Sequence, residues 1–281
     1  MTSSATPIPS EDTVIVAGRA GQRYVHDIWL YRELLVFLSW RDLLVRYKQT
    51  AAGVAWALIR PLLTMLVLTL VFGRFGKMPS PGAPYALMVF SGVLPWQFFA
   101  AAVSDSGGSL VTNTGLISKV YFPRIVIPAA SLVTALADFA VSLVLLAGLM
   151  LWFAWIPPAT IALLPVFVLL ASGLAFGLGL WTAALMVGFR DVRFIVPFVI
   201  QFGLYVSPVG FVSAVVPENY RLLYALNPMV GIIDGFRWCI LGGEHTIFWP
   251  SLAASAVSAV VLLVSGAWYF RRTERTFADI I

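Results

Sequence analysis

Six long runs of apolar residues occupy most of this chain, and they restrict its fold more than any other feature. A helix needs about 20 apolar residues to cross a hydrocarbon layer of about 30 Å, and each run is long enough. The runs are continuously apolar and do not alternate with polar residues, so they favour helices over the strands of a membrane barrel. The predicted spans are 54–73, 84–104, 125–153, 159–187, 194–213 and 247–270.

The composition agrees with an integral membrane protein. Hydrophobic residues make up 60% of the chain and charged residues 11%, whereas a soluble domain has about 45–50% and about a quarter. The single cysteine, Cys239, excludes an intrachain disulfide, and two histidines are too few for most zinc or haem sites. We therefore predict no metal and no cofactor in this chain.

The basic residues indicate orientation and not a nucleic-acid partner. Thirteen of them lie in the N-terminal segment, in the loops after spans two and four, and in the C-terminal tail, and four lie on the opposite side. Positive charge stays on the cytoplasmic side, so both termini are predicted in the cytoplasm. Residues 1–26, which lack the apolar core of a signal peptide, are predicted as one cytoplasmic tail and 271–281 as the other.

Residues 27–52 are predicted to form an amphipathic helix along the cytoplasmic leaflet. One helical arc carries Leu30, Leu34, Phe37, Leu38, Leu44 and Val45. The opposite arc carries Arg32, Ser39, Asp42 and Arg46. A solvated helix packed on the cytoplasmic ends of the spans is the alternative.

The segment between spans five and six is too long and too apolar for a simple turn. Asn227-Pro228 predicts a break between two short helices, because Asn can cap a helix and Pro suits its first turn. We predict a re-entrant hairpin over 214–241, with an ordinary external loop as the alternative.

Chemical motifs are scarce. There is no G-x-x-x-x-G-K-[ST] phosphate loop and no H-E-x-x-H, so we predict neither ATP binding by that route nor a catalytic residue. Asp138 is the one clearly mid-span carboxylate, and two interpretations stay open: a functional group, or a structural one that is protonated or paired across a subunit interface. Arg60 is read either as a snorkelling side chain or as part of a pathway.

Small residues and aromatic residues have two further interpretations. Gly173, Gly177 and Gly179 have the spacing of a close helix–helix contact. Aromatic residues at the ends of the spans fit either interfacial belts or surfaces on which sugar rings stack. They are Trp56, Tyr85, Phe90, Trp96, Phe98, Phe99, Phe198, Phe202 and Tyr205.

Several short motifs, in this order, resemble the type-2 ABC exporter permeases, in particular the polysaccharide branch that serves O-antigens, capsules and teichoic acids. The resemblance covers about residues 27–270, and Arg60 stands where that family often has Gln. The motifs are Arg46-Tyr47-Lys48-Gln49-Thr50 with Gly53, Trp56 and Pro61; Ser91 to Phe99; Asn113 with Leu116 to Arg124; Gly188 to Asp191; Ser207-Pro208-Val209; and Leu226 to Met229 with Gly235 to Trp238.

The resemblance implies a permease domain over 53–270 in a bacterial inner membrane. Two copies would form a channel for an undecaprenyl-linked glycan, surrounded by membrane lipids. Two separate subunits would bind ATP and Mg²⁺ and hydrolyse the nucleotide.

The resemblance also implies roles for individual residues. The loop 105–124 would carry the helix that couples to the ATPase, with Asp105, Asn113, Leu116, Ile117, Lys119 and Arg124. The hairpin 214–241 would be a periplasmic gate, with Glu218, Asn227, Pro228 and Arg237. The substrate pathway would include Arg41, Arg46, Lys48, Trp56, Arg60, Trp96, Phe98, Phe99, Phe202 and Tyr205.

Three other functions are compatible with the sequence. They are a small-molecule or drug exporter of the same superfamily, an ion-coupled secondary transporter or channel, and a membrane-embedded enzyme that modifies glycans. The scarcity of mid-span charges counts against the second, and the absence of an acid, base or nucleophile set counts against the third.

Overall fold

The chain folds into helices, as its apolar runs predict. A computed structural model describes residues 24–48, 54–80, 82–243, 247–274 and 277, and within them it contains helices and no strands. Most of the two predicted tails lies outside these residues. The α-helices are α1 (Tyr24–Leu30), α2 (Arg32–Lys48), α3 (Val54–Leu68), α4 (Tyr85–Thr112), α5 (Thr114–Ile117), α6 (Val126–Trp152), α7 (Leu164–Gly188), α8 (Val192–Val206), α9 (Glu218–Tyr224), α10 (Pro228–Leu241) and α11 (Trp249–Thr273).

Five helical segments are long and apolar enough to cross a membrane. The first joins α3 to a π-helical stretch, Thr69–Phe75, and the fourth begins with a 3₁₀ turn, Ala159–Leu163. An all-helical membrane protein is confirmed, and so are five of the six predicted spans. The segments are Ala57–Phe75, Tyr85–Thr112, Val126–Trp152, Ala159–Gly188 and Trp249–Thr273.

The predicted fifth span, 194–213, is not one continuous helix. Helix α8 ends at Val206, and Ser207 is extended because the residue before a proline disfavours the helical conformation. The 15 residues of α8 extend about 22 Å at 1.5 Å per residue, less than the ~30 Å of a hydrocarbon layer. The chain after α8 turns back into the protein, where Val209 and Val212 are buried.

Helix α4 is the centre of the bundle and is longer than predicted. It packs against α3, α6, α7 and α10, and it continues past 104 to Thr112. Its polar residues read as a loop in the sequence, but the Ser106 hydroxyl donates to the Pro128 carbonyl at 3.1 Å and the Ser109 hydroxyl to the Ser106 carbonyl at 2.7 Å. Buried hydroxyls with partners are compatible with a packed helix.

Helix α2 is close to its predicted place, but its buried face differs from the prediction. The predicted helix over 27–52 is broken at Tyr31, and residues 49–53 lie outside the described part of the chain. Helix α2 packs against α6 and buries Leu38 together with Ser39, which the sequence assigns to the polar arc. Large apolar side chains that remain exposed are Trp29, Leu30, Val36, Phe37, Trp40 and Val45.

The segment after α8 contains the two predicted short helices, α9 and α10. They are separated at Asn227-Pro228, and the Asn227 Oδ1 accepts a hydrogen bond from the Met229 N–H at 3.0 Å, as an N-cap does. Helix α10 is almost wholly buried and packs among α4, α7 and α11. The break and its cap are therefore as predicted.

Candidate functional site

A cavity of about 830 Å³ is lined by residues of α2, α3, α4, α6 and α8, and four of the lining side chains are charged. We call it the charged cavity. Its apolar wall includes Trp96 and Phe98 of α4 and Leu204 of α8. The charged side chains that line it are Arg46, Arg60, Asp105 and Asp138.

Arg46 joins α2 to two spans across this cavity. Its Nη2 donates to the Asp105 carboxylate of α4 at 2.7 Å, and its Nη1 donates to the Asp138 carboxylate of α6. The Tyr47 hydroxyl donates to the other oxygen of Asp138. The two carboxylates and the guanidinium are 23–37% exposed, so water screens these bonds only in part.

These hydrogen bonds also shift the pKa values of the Arg46 and Tyr47 side chains on α2. Burial lowers the pKa of Arg46, but the hydrogen bonds and charges of Asp105 and Asp138 outweigh it and hold that pKa above its ordinary value. Burial and the bond to Asp138 raise the pKa of Tyr47 to about 12. At neutral pH, Arg46 is therefore a cation and Tyr47 a neutral hydrogen-bond donor.

This arrangement gives Asp138 a partner and corrects the predicted position of Asp105. Asp138 has a cationic partner in its own chain, Arg46, although the partner comes from α2 and not from another span. Asp105 does not lie in a cytoplasmic loop, because α4 continues through it and directs its carboxylate to Arg46. The helical repeat could have indicated this position, since Gln97, Ala101 and Asp105 follow at four-residue intervals and all line the cavity.

Arg60 differs from Arg46 in its surroundings. It is exposed, lines the same cavity, and forms no side-chain hydrogen bond or ion pair with any described residue. One turn later the Thr64 hydroxyl donates to the Arg60 carbonyl at 3.0 Å and accepts from the Gln97 Nε2 at 3.1 Å. No sequence motif includes Thr64, whose bond with Gln97 fixes this part of α3 to α4.

The predicted pathway residues separate into two groups. Arg46, Arg60, Trp96 and Phe98 line the cavity, and the side chain of Trp56 lies outside the described part of the chain. The other predicted residues do not line the cavity. On α2, Arg41 bonds to Asp42 and Asn113, and Lys48 is exposed. Phe99 is 7% exposed in the core, whereas Phe202 and Tyr205 are 62% and 60% exposed on α8.

A second polar site is buried around Arg237 of α10, which is 1% exposed. We call it the Arg237 clamp. Its guanidinium donates to the carbonyls of Phe211 at 2.7 Å, Val209 at 2.8 Å and Met88 at 3.3 Å. A Cβ on Gly92 would lie 2.9 Å from its Nη2. Residues of three motifs that are far apart in sequence therefore meet here: Ser91 to Phe99, Ser207-Pro208-Val209 and Gly235 to Trp238.

Other predicted gate residues lie around this clamp or on the surface. Asn227 caps α10, and its Nδ2 donates to the Ser207 hydroxyl at 2.9 Å, with Pro228 in the first turn. Glu218, at the start of α9, has a side chain that is 87% exposed and lies 3.7 Å from Arg221. Arg237 is therefore bound to backbone from α4 and the post-α8 segment and does not line an opening.

Comparison with known proteins identifies the family. Residues 33–241 match the ABC-2 type transporter family. The chain belongs to that family.

Across the residues that the structure describes, no group of His, Cys, Asp and Glu could hold a metal ion.

The relatives of this ABC-2 type transporter chain include two O-antigen export permeases and a polysialic acid transport protein. It is 32% identical over 261 residues, 92% of its length and 99% of the relative's, to an O-antigen export system permease protein RfbA of Myxococcus xanthus. It is 25% identical to a protein of the same description from Klebsiella pneumoniae, over 89% of this chain and 95% of the relative. It is 23% identical to the polysialic acid transport protein KpsM of Escherichia coli, over 83% and 91%.

In this ABC-2 type transporter chain, the predicted coupling residues are mostly held by the protein itself. Ile117 is buried with Leu38 and Phe270 in a second apolar cluster, and Leu116 is partly buried against it. The Asn113 Oδ1 accepts from Arg41 at 2.8 Å. Ile117 and Asn113 therefore connect the loop after α4 to α2.

Arg124 and Lys119 lie at the end of the same loop and have different environments. The Arg124 guanidinium donates to the Glu274 carbonyl at 2.6 Å, and its backbone N–H donates to the Glu274 carboxylate at 2.6 Å. Lys119 is exposed beside Val120 and Tyr121, which are 52% and 67% exposed. Of the predicted coupling residues, Lys119 is the most accessible to a partner.

The ion pair between α2 and α6 gives a testable prediction. Asp138→Asn should loosen α2, because a partly exposed ion pair contributes up to about 1 kcal/mol, or about fivefold in an opening equilibrium. The measurement is the rate of maleimide labelling at Ser39→Cys, a buried position on α2, after the buried Cys239 is replaced by Ala. We expect Asp138→Asn to raise that rate severalfold.

The matched control is Asp42→Asn. The Asp42 carboxylate bonds to Arg41 of the same helix, so its loss should leave the labelling rate within twofold. Equal acceleration by both variants would contradict the assignment of Asp138 as the anchor of α2.

Proposed function

We propose that this chain is the membrane-spanning permease subunit of an ATP-driven exporter, and that it moves a lipid-linked, O-antigen-like polysaccharide across the bacterial inner membrane. The observation that carries the proposal is the similarity to the Myxococcus xanthus O-antigen export permease over 99% of that protein. Similarity along the whole relative includes every helix that surrounds the charged cavity. The carrier of the glycan would be undecaprenyl phosphate or diphosphate.

The permease would work as a homodimer with two separate ATP-binding subunits. In the single chain, α8 leaves a row of large apolar side chains exposed, among them Phe194 at 76%, Phe198 at 70% and Phe202 at 62%. Helix α8 also forms part of the cavity wall through Leu204. A second copy against this side would cover the apolar row and complete a channel between the two cavities.

The membrane topology would have six crossings, with α8 and the buried α10 together filling the place of the fifth. Both termini would then lie in the cytoplasm, in agreement with the thirteen basic residues on that side. Residues 1–26 and 271–281 would be cytoplasmic tails, and α2 would lie along the inner leaflet. The exposed apolar side chains of α2, such as Phe37 at 64% and Trp40 at 61%, support that position.

Coupling to the ATPase would take place through the loop after α4. Lys119 and its exposed neighbours would contact the ATP-binding subunit, while buried Ile117 would pass the movement to α2 and α11 through the second apolar cluster. The α9–α10 hairpin would close the periplasmic side. These roles rest on the family resemblance, and the exposure of Lys119 and the burial of Ile117 agree with them.

Purification and reconstitution test this function. We expect the chain, extracted gently from its native membrane, to bring with it a phosphate-loop ATPase at one-to-one stoichiometry. The ATPase activity of the reconstituted complex should rise severalfold with undecaprenyl-linked glycan and stay unchanged with hydrophobic drugs. A homo-oligomer without an ATPase, or stimulation by drugs alone, would contradict the proposal, as would transport that a proton uncoupler abolishes at constant ATP.

A further inference from the structure

The charge of the cavity is distributed unevenly between its two arginines. Arg46 lies between Asp105 and Asp138, so this group of three carries a net charge of about −1 when both carboxylates are ionised. An incoming anion would meet repulsion there. Arg60, on another wall, has no carboxylate partner among the described residues.

Two other cations of α2 are less suited to receive an anion. Arg41 is already bonded to Asp42 and to Asn113. Lys48 is exposed at the end of α2 and does not line the cavity. Arg60 is therefore the cation whose donors are available inside the cavity described here.

Arg60 carries a charge without a described partner inside an apolar helical segment, and such a charge indicates a polar cavity or a ligand. It is the fourth residue of the apolar segment Ala57–Phe75, and charged groups in such segments usually pair or face a polar cavity. A guanidinium binds phosphate oxygens with two parallel hydrogen bonds, which a Lys or Gln side chain cannot do. The Gln97 side chain and the Thr64 hydroxyl line the same cavity and add polar groups.

We propose that Arg60 is the binding residue for a phosphate or diphosphate group at the head of a prenyl lipid, and that the charged cavity receives this headgroup. The proposal rests on the proposed function, whose cargo it describes more closely. A volume of about 830 Å³ is within the usual range for ligand pockets. The aromatic side chains Trp96 and Phe98 supply apolar surface beside the polar groups.

The test measures binding of undecaprenyl diphosphate to the full chain in nanodiscs of phosphatidylcholine. Arg60→Gln should weaken binding about tenfold or more, because hydrogen bonds between charged groups are the strong ones. Arg60→Lys should keep part of the affinity. Undecaprenol, which has the same chain and no phosphate, should bind wild type and Arg60→Gln equally.

The control variant is Arg74→Gln, at the other end of the same apolar segment and outside the cavity. It should bind undecaprenyl diphosphate as tightly as wild type. Unchanged binding in Arg60→Gln would overturn the proposal. If Arg60→Gln does not fold, the test is the affinity of Arg60→Lys for undecaprenyl diphosphate, which should be lower than that of wild type, together with the competition experiment on wild type.

Competition with phosphatidylglycerol separates a prenyl headgroup from ordinary membrane phosphate. We expect phosphatidylglycerol at an equal mole fraction to displace less than a tenth of the bound undecaprenyl diphosphate. Equal displacement would mean that Arg60 anchors α3 to bulk lipid and would overturn the proposal. Failure of the wild-type complex to export glycan, with diphosphate binding still dependent on Arg60, would refute the proposed function and leave this site standing.

Discussion

Replacing Arg237 with Met should lower the free energy of unfolding by about 3–5 kcal/mol, the usual loss when one partner of a buried charged network is removed. The guanidinium is 1% exposed and supplies hydrogen bonds to three backbone carbonyls, one on α4 and two after α8. Without it, these carbonyls stay buried and lose a donor. Asp234, 7% exposed and one turn away on α10, also loses its favourable charge.

The measurement is denaturation of the purified chain in mixed micelles of dodecyl maltoside and sodium dodecyl sulfate, followed by circular dichroism. Arg237→Lys should give an intermediate loss, since it keeps the charge but lacks the planar fork that reaches several carbonyls at once.

The matched control is Arg221→Met on α9. Arg221 also donates to backbone carbonyls, of Val216 at 3.2 Å and Ala214 at 3.3 Å, but its side chain is 35% exposed. Water can replace its bonds, so we expect a loss below about 1 kcal/mol. Similar losses in Arg237→Met and Arg221→Met would show that the clamp is not a principal support of the fold.

The apolar runs predicted the helices well because a span is defined by local length and composition. The ends were harder to predict. Polar residues near Asp105 indicate a loop, yet α4 continues to Thr112 because its hydroxyls have partners: Ser106 donates to the Pro128 carbonyl, and Ser109 and Thr112 donate to carbonyls of α4 itself. The opposite error occurred at Pro208, where apolar composition concealed the end of α8 at Val206.

The candidate site could be predicted only in part. The sequence predicts Arg46, Arg60, Trp96 and Phe98 as pathway residues, and these four side chains line one cavity. The bond between Arg46 and Asp138 joins residues 92 positions apart, and no local pattern contains that distance. The same limit applies to the Arg237 clamp, where Gly92 and Val209 meet Arg237 through the fold.

The contact between α7 and α11 supplies the second large effect. A Cβ on Gly177 would lie 2.5 Å from the backbone of Leu262 and Leu263, and a Cβ on Gly266 would lie 2.4 Å from the Gly177 carbonyl. These obstacles are backbone atoms and cannot rotate away. Gly177→Ala should therefore force the helices apart and lower the free energy of unfolding by about 1–3 kcal/mol or more, as measured in the same mixed micelles.

The control for this prediction is Gly173→Ala, one turn earlier on α7. The small-residue spacing makes the two glycines equivalent in the sequence, but a Cβ on Gly173 would have no described atom within 4 Å. Because Ala is the better helix former, Gly173→Ala should leave stability unchanged or raise it slightly, by up to ~1 kcal/mol. A loss of unfolding free energy in Gly177→Ala and no loss, or a small gain, in Gly173→Ala would locate the α7–α11 contact at Gly177. Equal losses of stability in the two variants would mean that α7 contacts α11 along a different face. The close approach between Gly177 and Gly266 would then also be wrong.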